Sequence, residues 1–220
     1  MSQSPGMRVV DSSDRSLLLV FDDRISPAAR GSVLRLTPLL QSVPGVTNVH
    51  PAYASILIDF DPLAVRHSDV AGAAARLFVQ AAAASLPEPR TVEIPVSYGG
   101  EFGPDLEAVA ALTGHTPDEV VALHSSAAYL VYFLGFSPGF PYLGGMPESI
   151  ATPRLDTPRR RVPAGSVAIG GRQTGVYPMS SPGGWRIIGR TPLLLFDPRA
   201  DPPALLRMGD RVRFVVKGSV

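Results

Sequence analysis

Apolar positions recur with two different periods in the first part of the chain. Residues 8–11 and 17–21 are strand-like, with Asp14 in the polar turn between them. Ser26-Pro27 is a helix start, a capping hydroxyl followed by proline at the first helical position. Val33, Leu36, Leu39 and Leu40 then recur at helical spacing until Pro44-Gly45 ends the helix. Residues 46–50 and 55–60 predict two further strands around a turn near Pro51, and Asp61-Pro62 stops the second. Ser68 predicts the cap of a second helix running through Val70, Leu77, Phe78 and an alanine run to Ala84. Strand, helix, two strands, helix, then strand is a split βαβ pattern, hence a two-layer α+β sandwich. Leu86-Pro87-Glu88-Pro89 marks the expected boundary, giving an N-terminal α/β domain over 1–88 and a second domain over 89–220. The alternation in residues 91–97, with Val92, Ile94 and Val96 apolar, fits either the first sheet or the second domain.

Past the boundary the pattern changes. Residues 104–112 predict a short helix, and Thr116-Pro117-Asp118-Glu119 is a capping box for another that ends near His124. Residues 128–134 are apolar and β-prone, residues 193–196 and 211–216 predict strands, and Met208-Gly209-Asp210 is the turn before the last. Short strands with Gly/Pro turns and little helix predict a closed or nearly closed β-barrel.

Composition sharpens one region. Residues 133–192 hold 11 of the chain's 21 Gly and 9 of its 23 Pro. That density alone suggests disorder, yet aromatic and β-branched residues such as Phe136, Tyr142, Ile169 and Trp185 punctuate the glycines. Together they describe an ordered backbone of turns and short strands. The 220 residues carry a net charge of +1, which gives no global reason to bind nucleic acid or membrane. No apolar run of membrane-spanning length and no export signal is read, so the cytoplasm is the expected compartment. With zero cysteines there are no disulfides, thiolate ligands or cysteine nucleophile. Charge is nonetheless uneven: residues 133–197 contain seven arginines against Glu148, Asp156 and Asp197, a local excess of +4. Arginines on a turn-rich backbone suit a carboxylate or phosphate, because the guanidinium is a planar two-point fork.

A complete active site is not legible. Lys217 is the only lysine, so no P-loop exists, and no G-x-S-x-G elbow is present. Ser137, Ser166, Ser180 and Ser181 read as turn residues, and the four scattered histidines repeat no metal-ligand spacing. No metal site is expected, and the catalytic residues are unknown. The binding candidates are His124, Arg154, Arg159, Arg161, Gln173, Thr174, Tyr177 and Arg190. His124 at a helix end can hold a proton, bond a carbonyl or cap the helix. Arg154 and the run 159–161 are flanked by prolines that fix their backbone, and alternation puts at most two of the run on one side. Gln173-Thr174-Gly175 offers either a ligand-facing amide and hydroxyl or a plain β-turn. Tyr177 and Trp185 can floor a pocket, although a lone Trp also suits a core. Phe136, Phe140 and Tyr142 are the candidates for an interface with a partner, as three loop aromatics in seven residues look hard to bury locally.

The segments GFSPGFPYLGGMPE (135–148), PRLDTPRRRVPAGSVAIGGRQTGVYP (153–178) and SPGGWRIIGRTP (181–192) resemble the family of the 5-oxoprolinase B subunit. That family includes the kinase inhibitor KipI, is also called allophanate hydrolase subunit 1, and carries the label carboxyltransferase domain, subdomain C and D. The resemblance implies a small α/β N-terminal domain followed by a cyclophilin-like barrel, with similarity to half of the urea carboxylase carboxyltransferase domain. It also implies a non-autonomous component that works with a homologous C subunit and a separate A subunit. Together they open 5-oxoproline to glutamate using ATP with Mg at the level of the complex. Two alternatives come with it: a KipI-like protein that docks on a sensor histidine kinase, and a carboxyltransferase-type component for urea- or allophanate-like substrates.

Overall fold

The apolar alternation of residues 16–20 and 55–60 is what a half-buried antiparallel sheet requires, and a computed structural model of the chain shows that sheet. Residues 6–86 and 88–217 are described, and the chain divides into two units, Met1–Glu88 and Pro89–Val220. In the first, β1 (Arg8–Ser13), β2 (Ser16–Val20), β3 (Val46–Pro51) and β4 (Ser55–Phe60) form a sheet ordered β1-β2-β4-β3. β4 lies antiparallel between β2 and β3, and α1 (Pro27–Leu40) connects those two, which is the split βαβ arrangement. Inward Leu17, Leu19, Ile56 and Ile58 are fully buried, as are Leu36 and Leu40 of α1. The Ser26 hydroxyl accepts from Ala29 N at 3.1 Å, so the first helix starts where its cap residue requires.

Two expectations for this unit need correction. α2 (His67–Ala82) begins one residue before Ser68, because Asp69 accepts both the Arg66 backbone N–H and its guanidinium at 3.1 Å. A charge-assisted capping box outcompetes the lone hydroxyl. Leu39 is on the apolar stripe by count yet is 39% exposed, since Val33, Leu36 and Leu40 take the inward positions.

The second unit adds β5 (Thr91–Tyr98), α3 (Leu106–Thr113), α4 (Pro117–Ser126), β6 (Tyr129–Leu134), β7 (Pro141–Gly144), β8 (Arg159–Val162), β9 (Ser166–Gly170), β10 (Gln173–Val176), β11 (Ser181–Gly183), β12 (Arg186–Arg190) and β13 (Arg211–Val216). Seven of these close a barrel in the order β10-β7-β6-β13-β5-β12-β9. β5 enters it as the parallel partner of β13, from Arg211↔Thr91 to Val216↔Val96, so the alternation at 91–97 belongs to the barrel. Thr116 and Glu119 make the capping box, with Glu119 Oε2 accepting from Thr116 N at 2.7 Å. Residues 193–196 are not a strand: Leu195 is buried, but only an isolated bridge from Phe196 to Ala204 forms there. Apolar content serves packing there rather than a ladder.

β9 carries the plan of the site. All five of its residues are buried. Val167 and Ile169 face the barrel interior, while Ala168 faces a separate cluster with Phe140, Val162, Tyr177, Trp185 and Ile187. A sheet covered on both faces leaves little solvent contact for this strand, and the outer cover is aromatic.

Candidate functional site

That outer cover forms the walls of a pocket of about 260 Å³. Phe140 is its hub, with ring centroids 5.3 Å from Tyr142, 5.3 Å from Tyr177 and 5.6 Å from Trp185. All three contacts are edge-to-face, the geometry that ring quadrupoles favour. Glycine permits the packing: a Cβ on Gly170 would stand 2.6 Å from the Trp185 indole, and one on Gly183 would collide with the Tyr177 hydroxyl. At these two positions glycine lets a ring lie directly on backbone. Phe136 sits at the rim with φ of 65° and 64% exposure, its ring 5.4 Å from Phe140. A non-glycine residue in the left-handed region costs about 1–2 kcal/mol and persists only where its surroundings hold it.

One cation faces these rings. The Arg154 guanidinium lies 5.7 Å from the Trp185 ring centroid. Its backbone is fixed on both sides: Thr152 bridges Gly171, Leu155 N donates to Gly184 O at 2.7 Å, and Arg186 Nε donates to Pro153 O at 2.9 Å. Among the described residues no carboxylate pairs with Arg154, and no Asp or Glu lines the pocket. Burial pushes the Tyr177 phenol upward, so it stays protonated as a wall group.

The other candidates lie elsewhere. Arg159 pairs with Asp105 at 2.7 Å, and the second Asp105 oxygen accepts from Ile187 N at 2.7 Å. Arg161 donates to Ser180 Oγ at 3.1 Å on an exposed edge. Arg190 stacks over Phe102 at 5.6 Å with its Nε buried and unpartnered. Gln173 is half-buried on β10. Of the three aromatics expected at an interface, Phe136 is exposed, whereas Phe140 is only 2% exposed. Its burial is not local: its partners Tyr177 and Trp185 come from segments 37 and 45 residues away in sequence.

His124 and Thr174 are inside the barrel, both 0% exposed. Thr174 Oγ1 donates its single proton to Ala168 O at 3.0 Å, so it accepts from His124 Nε2 at 2.9 Å. Nδ1 is then the acceptor for the Tyr98 hydroxyl at 2.8 Å. Tyr129 donates to the His124 carbonyl at 2.8 Å, tying α4 to three barrel strands. Burial drives the imidazole down to about 3. The neutral ring is thus the folded form, and between pH 6.5 and 3 unfolding takes up a proton, because the exposed imidazole is charged there. Stability should fall as pH drops through that window, by at most about 1.4 kcal/mol per unit from this group. Urea denaturation at roughly pH 7, 5.5 and 4.5 checks this; His124→Phe should show a shallower acid slope than the wild type.

Sequence reasoning missed Asp105, Pro158, Gly183 and Gly184. The last three line the pocket. Asp105 falls inside the helix expected over 104–112; it precedes α3 instead, and its carboxylate makes no cap bond but turns to β8 and β12. Nothing local signals that.

The comparisons with known proteins agree with one another. The family model described as "Carboxyltransferase domain, subdomain C and D" matches residues 7–206. The chain is 44% identical over 214 residues to the 5-oxoprolinase B subunit of Bacillus subtilis (strain 168), covering 92% of this chain and 89% of that protein. Among solved structures, TTHA0988 superposes with a TM-score of 0.80 at 39% identity, over 94% of this chain; the chain spans 40% of that protein's length. The Kluyveromyces lactis urea carboxylase shares the fold alone, with a TM-score of 0.77 at 18% identity over 99% of this chain and 22% of its own. A split βαβ unit, a closed barrel and a glycine-seated aromatic pocket thus accompany a family match over most of the sequence: the chain belongs to the carboxyltransferase domain, subdomain C and D family, together with the 5-oxoprolinase B subunit.

Proposed function

We propose that this chain is the B subunit of a cytoplasmic, ATP-dependent 5-oxoprolinase, and that it contributes recognition and positioning to an active site completed by the homologous C subunit and by the A subunit. The observation that carries this reading is the 44% identity to a 5-oxoprolinase B subunit over 92% of the chain. The pocket chemistry supports it. An amide is a poor electrophile, and phosphorylating the lactam oxygen with ATP activates its carbon. Water adds, the ring C–N bond breaks with the nitrogen leaving as the protonated amine, and a second water hydrolyses the resulting acyl phosphate to carboxylate and phosphate. Such a reaction needs a phosphoryl donor site, a water activated for attack, and cations for the developing charge. Of these, the barrel offers a cation and a shaped apolar wall. Among the described residues no three His, Asp or Glu side chains gather as a metal site. A Mg–nucleotide takes one or two carboxylates, its other ligands being phosphate oxygens and water, and no Asp or Glu lines the aromatic pocket, so this reading places the nucleotide elsewhere in the assembled complex.

Assembly is the direct test. A tagged copy of this chain, co-expressed with the A- and C-subunit homologues of its host, should retain the C-subunit homologue through gel filtration. Elution as a separate species from both would overturn the reading.

A further inference from the structure

We infer that the aromatic pocket on the outer face of β9 binds a small ring-bearing carboxylate, with Arg154 as the anion's partner and the Trp185–Tyr177 wall against the ring. This rests on the 5-oxoprolinase reading, under which the ligand is a cyclic amide acid such as 5-oxoproline. Size restricts the class first. About 260 Å³ lies below the roughly 300 Å³ lower end of sites for drug-sized molecules, so the pocket matches a small ligand better than a whole nucleotide. Shape restricts it next. Phe140, Tyr142, Tyr177 and Trp185 offer ring edges and faces, with Pro158 and Pro182 beside them, and suit the methylene faces of a five-membered ring.

Charge decides the rest. Arg154 makes no ion pair among the described residues and faces a lining without acids, while its backbone is held by neighbouring strand ends. Arg154 is the one Arg or Lys among the residues lining the pocket; Arg159 is paired with Asp105, and Arg161 and Arg186, outside that lining, hydrogen-bond the neutral oxygens of Ser180 and Pro153. One available guanidinium matches a monoanionic carboxylate, which it can grip through two N–H donors. A phosphate dianion would leave charge unmatched, and a ligand bearing an ammonium group would be repelled.

Trp185 is the only tryptophan in the sequence and lies in the pocket wall, so it reports occupancy directly. The full chain is titrated with 5-oxoproline and, separately, with 2-pyrrolidinone, the same lactam without its carboxylate. The expected result is a saturable change in Trp185 emission with 5-oxoproline and at least about tenfold weaker binding of 2-pyrrolidinone. Arg154→Gln should erase that difference while its melting temperature stays within about 2 °C of the wild type, showing an intact wall. No saturable change in the wild type, or an Arg154→Gln variant that binds 5-oxoproline as tightly as the wild type, overturns the site. The two readings separate in the complex. Turnover with KM for 5-oxoproline unchanged by Arg154→Gln removes this pocket and leaves the assignment to 5-oxoprolinase standing. Binding at the pocket by a chain that never supports turnover removes that assignment and leaves the pocket.

Discussion

Replacing Asp105 with Ala should destabilise the barrel unit by about 3 kcal/mol or more, lowering its melting temperature by on the order of 10 °C. The carboxylate has 10% side-chain exposure and satisfies two donors at once, the Arg159 guanidinium and the Ile187 amide, each at 2.7 Å. Removing it leaves a partly buried cation without a counter-charge and a buried N–H without an acceptor. Arg159 is 30% exposed and regains some hydration, which holds the loss near the lower end of that range. Asp105→Asn separates the two contributions, since the amide oxygen can still accept from Ile187 N while the charge is gone. An Asp105→Ala/Arg159→Met double variant should recover part of the loss, because the orphaned charge is then removed. A melting temperature within about 2 °C of wild type for Asp105→Ala would show that the pair does not hold β8 and β12 to α3.

The second large effect is steric. Gly170→Ala should cost about 2–3 kcal/mol and move the emission of Trp185. Gly170 has ordinary backbone angles, so alanine is tolerated by the chain itself. What the new methyl meets is the indole, with three ring atoms at 2.6 Å. The ring cannot retreat freely, because Phe140 packs against it at 5.6 Å and a Cβ at Gly175 would already stand 3.2 Å from it. Removing the ring tests the cause. In a Trp185→Ala background the Gly170→Ala substitution should be close to neutral, and an undiminished cost there would place the strain elsewhere.

Both effects depend on contacts of a kind the sequence does not display. Local signals were legible wherever one residue acts on its neighbours. Ser26 capping α1, the Thr116/Glu119 box and the alternation at 55–60 each act within a few positions, and each is in the structure. The glycine- and proline-rich segment was readable as ordered because its aromatic residues had no reason to be there otherwise. Contacts closed by the fold were not readable. Asp105 and Arg159 are 54 residues apart, and nothing within the helix expected over 104–112 marks Asp105 out. Phe140 looked too exposed to bury because its partners arrive from later strands. Ser68 and residues 193–196 erred in the other direction: a sufficient local signal was present, and a stronger cap at Asp69 or a packing role for Leu195 prevailed.

The barrel unit is thus read as a positioning device, in which glycines seat the rings, the rings shape the pocket and Arg154 gives it a sign. The most direct test of that reading is 5-oxoproline-dependent ADP release, measured for the A, B and C subunits together, for the other two without this chain, and for this chain alone. The account predicts turnover only when all three are present. Undiminished release on omitting this chain, or turnover by this chain alone, would contradict it.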